Sequence, residues 1–222
     1  MNRREFTGAS LLALLALGGS YAVKLNAKND TYLRPPRSSP DFDKLCIKCG
    51  QCVQVCPYYA ISLLDITSGV DIGTAHIDPK KRGCYLCDLL PCVLACPSGA
   101  LNPDSLERED ANMGVVTLTN FNECLSLKGE RLSPEKTEFL TSRKTHNERE
   151  AKVVEDIKNS NGEICDLCVK LCPIGSSAIE LDEKNLPRIK EGCVGCGVCV
   201  EVCPVGIIEA IPHKKFSEVY KD

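Results

Sequence analysis

Sixteen cysteines stand in a chain of 222 residues, and fifteen of them fall into four short runs. The first run is Cys46-x2-Cys49-x2-Cys52-x3-Cys56-Pro57, and the last is Cys193-x2-Cys196-x2-Cys199-x3-Cys203-Pro204. Thiolates at this spacing, closed by Cys-Pro, are the iron ligands of [4Fe–4S] clusters. The two-residue gaps form a tight loop that aims three thiolates at one cube while backbone N–H groups face its sulfides. Gly50, Gly195 and Gly197 stand inside those loops, where the missing Cβ lets the backbone come close. The fourth cysteine follows one helical turn after the third, so it points away toward a neighbouring cluster.

The other two groups vary this pattern. Cys84-x2-Cys87-x4-Cys92-x3-Cys96-Pro97 has two extra residues in its middle gap, and Cys165-x2-Cys168-x3-Cys172-Pro173 is one ligand short. Cys124 alone lies outside the runs and is read as the missing ligand; the alternative is a free thiol beside a three-cysteine or water-ligated cluster. A lone thiol in an exported protein is a chemical liability, which favours ligation. Disulfides are open to any even set of cysteines, but a disulfide scaffold rarely repeats one run with proline each time. Zinc sites use pairs of cysteine pairs rather than four-cysteine runs. The expected inventory is four [4Fe–4S] clusters held by all sixteen cysteines, and a one-electron carrier as the product.

The elements that must position these thiols are short. Residues 60–66 and 115–118 have strand character, and 178–181 with 186–189 flank the turn Asp182-Glu183-Lys184-Asn185 as a hairpin. About 40 residues separate Cys124 from Cys165. The charged insert within that gap, residues 128–162, holds two helical patterns. Ser133 is placed to cap the first, with Pro134 at its first position. Ala151 to Ile157 belongs to the second, which Asn161-Gly162 should end. The insert reads as a solvated excursion or a partner-docking element. Aromatic residues make up 5% of the chain and Trp is absent, so bound clusters must supply cohesion that side-chain packing would otherwise give.

Other chemistries find little footing. A net charge of −3 offers no basic footprint for nucleic acid. His76, His146 and His213 are scattered, no glycine-rich loop follows a strand, and no C-x-x-C-H haem attachment sequence occurs. The catalytic and flavin residues of an oxidoreductase are missing, so any catalysis would belong to a complex.

Residues 1–22 read as a signal peptide: Asn2-Arg3-Arg4-Glu5-Phe6, an apolar run from Ala9 to Leu17, then small residues up to Ser20-Tyr21-Ala22. The Arg3-Arg4 pair marks a twin-arginine signal, whose export machinery carries folded, cofactor-loaded proteins to the periplasm. The apolar run is shorter than the roughly 20 residues of a membrane-spanning helix, although an uncleaved anchor is the alternative. Residues 23–42, with Pro35-Pro36 and Pro40, are expected to form an extended tether.

Stretches beyond the cysteine runs carry a resemblance to a known family. They are Leu33-Arg34-Pro35-Pro36, Cys49-Gly50-Gln51-Cys52-Val53-Gln54, Pro91-Cys92 through Cys96-Pro97-Ser98-Gly99-Ala100-Leu101, Asp110-Ala111-Asn112-Met113-Gly114, and Glu123-Cys124-Leu125. With these the chain resembles the NapG/MauM ferredoxin-type family over nearly its whole length. That family also sets a single cysteine ahead of its third run, though much closer to it than Cys124 stands to Cys165. The resemblance implies an α+β, loop-rich fold of two bacterial-type dicluster ferredoxin modules. It implies a membrane-integral iron–sulfur quinol dehydrogenase subunit as partner on the outer face of the cytoplasmic membrane. Electrons would leave through c-type cytochromes toward periplasmic nitrate reductase. A maturation role for a molybdenum enzyme, and electron transfer in methylamine utilisation, are the alternatives.

Spacing leaves the pairing of runs open. The likeness to four-cluster electron-transfer subunits implies a nested arrangement in which 43–83 joins 178–222 and 84–177 forms the second module. The quartets would then be Cys46, Cys49, Cys52 with Cys203; Cys193, Cys196, Cys199 with Cys56; Cys84, Cys87, Cys92 with Cys172; and Cys124, Cys165, Cys168 with Cys96.

Overall fold

The computed structural model describes residues 32–220. The signal segment and the first part of the tether, to residue 31, lie outside the described residues.

Helices α1 (Phe42–Leu45) and α2 (Gln51–Gln54) precede strands β1 (Ile61–Leu63) and β2 (Ala75–Ile77), and α3 (Pro91–Leu94) follows. Strand β3 (Gly114–Leu118) comes next, then α4 (Pro134–Thr141) and α5 (Glu148–Asn159), which fill the insert. The chain ends with α6 (Leu167–Lys170), β4 (Ile179–Leu181), β5 (Pro187–Ile189), α7 (Val198–Val202), β6 (Ile208–Pro212) and α8 (Phe216–Val219). The described residues form a loop-rich α+β fold with three two-stranded antiparallel sheets: β1–β2, β4–β5 and β3–β6.

Local chemistry sets the element ends. The strand expected over 60–66 stops at Leu63, because the Asp65 carboxylate accepts the Thr67 N–H at 2.9 Å and starts a 3-10 turn. In the β4–β5 turn, Asp182 accepts the backbone N–H groups of Lys184 and Leu186, each at 2.9 Å, which closes the hairpin read from the sequence. Ser133 caps α4 by accepting the Lys136 N–H, and Asn147 caps α5 by accepting that of Glu150.

Two modules lie side by side. In the first, α2 packs on α3 beside the β1–β2 hairpin; in the second, α6 packs on α7 beside β4–β5. Strand β3 belongs to the second module through its full register with β6, from Gly114 opposite Pro212 to Leu118 opposite Ile208. The nested division into 43–83 with 178–222 and 84–177 is therefore corrected: sequence neighbours pair. The physical reason is the short helix in each run, which packs on the helix of the next run along the chain.

Two further expectations change. Residues 32–42 are not a free tether. Leu33 is fully buried and exchanges backbone hydrogen bonds with Ile77 at 2.7 and 3.0 Å, Phe42 is buried, and Arg37 N–H donates to the Ala111 carbonyl at 2.8 Å. The insert is not a solvated excursion either. Its helices pack on one another, and Leu140 and Ile157 enter the main core with Leu33, Phe42, Leu86 and Leu167.

Gly195 is held by two independent constraints. Its φ of +71° is left-handed, and a Cβ there would lie 2.3 Å from the Gly114 carbonyl carbon. Gly129 has a φ of +66° but faces open space. Gly129→Ala should therefore cost about 1–2 kcal/mol for the backbone alone, and Gly195→Ala clearly more, read as the drop in thermal midpoint of the anaerobically purified protein.

Candidate iron–sulfur sites

The fold gathers the sixteen cysteines around four hollows. The first is lined by Cys46, Cys49, Cys52 and Cys96. The second has Cys56, Cys84, Cys87 and Cys92. The third has Cys172, Cys193, Cys196 and Cys199. The fourth has Cys124, Cys165, Cys168 and Cys203. The nested quartets are thus corrected at four positions. Cys96 joins the first run, Cys56 the second, Cys203 the third and Cys172 the last, because each run trades its fourth thiol with the run whose helix it packs against. His76, His146 and His213 line none of the four.

Backbone shape explains the three-thiol cups. Lys48 and Gly50 in the first run, and Gly195 and Gly197 in the last, occupy the same two loop positions with left-handed φ. Leu86 is left-handed at the corresponding place in the second run, and the two-residue extension there adds Leu89 and Leu90, also left-handed. Alternating handedness curls the chain around a point. Pro91 then starts α3 at its first turn, where its missing N–H costs nothing.

The insert closes on itself below Cys124, which is how a cysteine so distant in sequence reaches Cys165. Leu132 N–H donates to Glu163 O at 2.9 Å, Gly162 N–H to Leu132 O at 2.8 Å, and Cys165 N–H to Glu130 O at 3.4 Å. Lys128 and Glu130 turn back on Cys124 and Leu125 through N–H···O bonds of 3.1 and 2.8 Å. A long loop whose ends are pinned this way costs little more than a short one.

The quartets fit an iron–sulfur cube on three grounds. All sixteen thiols are free. Among the described residues no three His, Cys, Asp or Glu side chains gather closely enough to hold a single metal ion, so each quartet surrounds a space wider than zinc, with its ligands at about 2.3 Å, would need. Second, burial keeps the thiols protonated unless a cation takes the proton's place. Burial pushes Cys52, Cys87 and Cys165 up to about 11 and Cys92 to about 12, and drives Cys84, Cys168, Cys196 and Cys199 well above the ordinary value. Only strong positive charge, such as iron, would hold these groups as thiolates at neutral pH. Cys96 is the exception: burial raises it, but N–H groups of Leu101, Ser98 and Ala100 and the Ser98 hydroxyl together bring it below the usual thiol range. Third, one buried hydroxyl at the hollows, Ser126 Oγ at the fourth, has no hydrogen-bond partner in the protein. An orphaned buried hydroxyl costs about 1–3 kcal/mol unless something in the hollow accepts from it.

The hollows stand in series. Cys52 and Cys56, one turn apart, face the first and second, and Cys92 and Cys96 repeat the link. Cys168 with Cys172, and Cys199 with Cys203, join the third to the fourth. Between the modules, Cys84 N–H donates to Cys196 O at 2.8 Å, and Gly83 sits so close that a Cβ would fall 2.5 Å from Val198 N. The second and third hollows meet there.

A buried ion network, unforeseen in the sequence, braces that junction. Glu201 on α7 and Glu150 on α5 are almost wholly buried. Arg82 bridges them, with Nη2 3.0 Å from Glu150 and Nη1 3.4 Å from Glu201. Arg143 of the insert also pairs with Glu201, Gly83 N–H donates to Glu201 at 2.7 Å, and His146 N–H to Glu150 at 2.8 Å. Neither glutamate was singled out in the sequence: Glu150 is one charge among many in the insert, and Glu201 is a lone charge in the apolar stretch from Val198 to Val202.

Comparisons with known proteins agree with the geometry. Residues 45–100 and 149–211 each match a 4Fe-4S dicluster domain, the same two pairs of runs that share thiols. The chain is 31% identical over 195 residues to the methylamine utilization ferredoxin-type protein MauM of Methylorubrum extorquens, covering 84% of this chain and 86% of that one. It belongs to the NapG/MauM ferredoxin-type family. It is also 30% identical over 215 residues to the ferredoxin-type protein NapG of Haemophilus influenzae (88% of this chain, 65% of that one). To MauM of Paracoccus denitrificans it is 32% identical over 175 residues (74% and 63%). The chain therefore spans slightly less than two thirds of the length of these last two relatives. No solved structure matches it. As a family member it is an iron–sulfur electron-transfer protein of ferredoxin type.

Two outcomes follow from this geometry. Cys56→Ser should alter the spectrum of the centre that also responds to Cys87→Ser, and Cys203→Ser that of the centre that responds to Cys165→Ser; the nested pairing instead links Cys56 to the Cys193 centre and Cys203 to the Cys46 centre. Glu201→Ala strands Arg143 and the Gly83 N–H and leaves Arg82 paired with Glu150 alone, and should cost about 3–5 kcal/mol, toward the lower figure because both arginines keep some surface in water. Glu201→Gln, which can still accept from Gly83, should cost less in the same thermal unfolding measurement.

Proposed function

We propose that the chain holds four [4Fe–4S] clusters, one per thiol quartet, and relays single electrons along them. The observation that carries this reading is the unbroken adjacency of the four quartets, first to second within one module, second to third across the Cys84–Cys196 backbone bond, and third to fourth within the other module. A bound cube supplies one-electron redox chemistry at a potential set by charge, hydrogen bonds and exposure. The protein supplies sixteen thiolates, donors to sulfur and dry walls. Cys49 is the one exposed thiol among the sixteen, beside exposed Ile47 and Leu63, so the first quartet has the open edge through which a redox partner would exchange electrons.

The partners are proposed on the family resemblance. The donor is a membrane-integral iron–sulfur quinol dehydrogenase subunit, and electrons continue through a c-type cytochrome to periplasmic nitrate reductase. The chain itself is an electron-transfer subunit rather than an enzyme. It is exported by the twin-arginine route and sits in the periplasm against the outer face of the cytoplasmic membrane. No helix of the described residues is long and apolar enough to cross a membrane, which supports attachment of this part of the chain through a partner. Methylamine utilisation is the second reading, favoured by relatives named for that process at the same level of identity. A maturation or repair role for a molybdenum enzyme is the third.

Protein purified anaerobically should contain about 16 iron and about 16 sulfide per chain, as four cubes require; substantial zinc would overturn the reading. In the source organism, a deletion strain should lose nitrate reduction driven by a quinol-feeding donor yet keep that driven by reduced viologen. Loss with both donors supports maturation, and loss of growth on methylamine instead supports the second reading.

A further inference from the structure

We infer that the Ser126 hydroxyl donates a hydrogen bond to a sulfur of the cluster in the Cys124 quartet, and so holds that centre at a higher reduction potential than its four thiolates alone would give. The inference rests on the four-cluster reading above.

Ser126 is only 2% exposed, and its Oγ meets no acceptor in the protein. It lines the fourth hollow with Cys124, two residues before it, and with Leu167, Val202 and Ile208. Its carbonyl is already committed, accepting the Gly129 N–H at 3.0 Å, so the turn fixes its backbone at the hollow's wall. A buried water is a poor substitute partner, because it needs two to four polar groups of its own and these walls are apolar.

The first quartet shows what such a serine does when an acceptor is present. Ser98 also follows its cysteine by two residues, and its Oγ lies 3.7 Å from Cys96 Sγ and 3.4 Å from the Ala100 N–H. Ser126 has the same spacing from Cys124 but no such partner, which leaves a donor whose acceptor must be the group the hollow holds. Reduction adds negative charge to the cluster's sulfurs, and a hydrogen bond to a charged acceptor is the stronger one. The donor therefore favours the reduced state, and the potential rises.

The test is an EPR-monitored potentiometric titration of the anaerobically purified protein, with iron and sulfide counted first. The centre is assigned as the one altered or lost in Cys124→Ser. Ser126→Ala should keep iron and sulfide at the wild-type value and move that centre alone to lower potential. At a fixed potential its reduced-to-oxidised ratio should fall about tenfold, which is about 59 mV for one electron. Ser126→Thr should keep the wild-type potential, and Ser126→Val, of the same volume without the donor, should behave as Ala. An unchanged potential in Ala and Val, or a shift in a different centre, overturns the inference. So does loss of about a quarter of the iron in Ala and Val with Thr intact, which would make the hydroxyl a requirement for holding the cluster. A wild-type protein without the Cys124-linked centre fails the four-cluster reading and this inference together, whereas a full iron count with an unmoved potential fails this inference alone.

Discussion

One helical turn, from the third cysteine of a run to the fourth, is the constraint on which the rest of the molecule depends. The cysteines before the turn face one hollow, and the one after it faces the next. A single run therefore cannot complete a site, and two runs must exchange thiols. The exchange packs α2 on α3 and α6 on α7, so the helix pairs are a consequence of the thiol geometry as much as its support. Once both pairs exist, the hairpins β1–β2 and β4–β5 need only cover one side each. This is how three two-stranded sheets and helices of four or five residues around the cysteines stand in for a conventional core.

Joining the modules calls for a different kind of contact. Gly83 and Cys84 approach Gly197 and Val198 as closely as backbone allows, leaving no room for a layer of apolar side chains between them. The adjoining space is filled by Arg82, Arg143, Glu150 and Glu201. Buried ions at such a place are weak contributors to stability in themselves but severe penalties when mispaired. They thus favour one relative placement of the modules over others. The insert contributes Arg143 and Glu150 to this arrangement, which gives a physical reason for its docked position.

The cysteine runs, the α+β class, the hairpin at 179–189 and the Ser133 cap were legible in the sequence, because each depends on chemistry within a few residues. Pairing of the runs was not. Spacing between runs allows either arrangement, and the choice is made by which helices meet, a contact between Val, Leu and Cys faces that carry no distinctive pattern. Strands β2 and β6 were missed for a related reason. β2 has three residues, and β6 pairs with β3 across a long separation in sequence. Residues 32–42 read as a tether because Pro35-Pro36 and Pro40 suggest extension; instead the segment turns at 36–37, where Arg37 has a left-handed φ, and is held against Ile77, Ala100 and Ala111.

Identical ligand sets do not make identical centres. The first quartet has the exposed Cys49 and a Cys96 thiol surrounded by donors. The second and third hold Cys84, Cys196 and Cys199, all buried, beside a charge network. The fourth is walled by aliphatic side chains on both sides of Cys203. Desolvation disfavours added negative charge, whereas hydrogen bonds and water favour it. Four chemically equal cubes placed in these hollows would therefore differ in potential from one end of the series to the other. Any difference in potential along such a relay would come from the surroundings of the thiols, the thiols themselves supplying only the path.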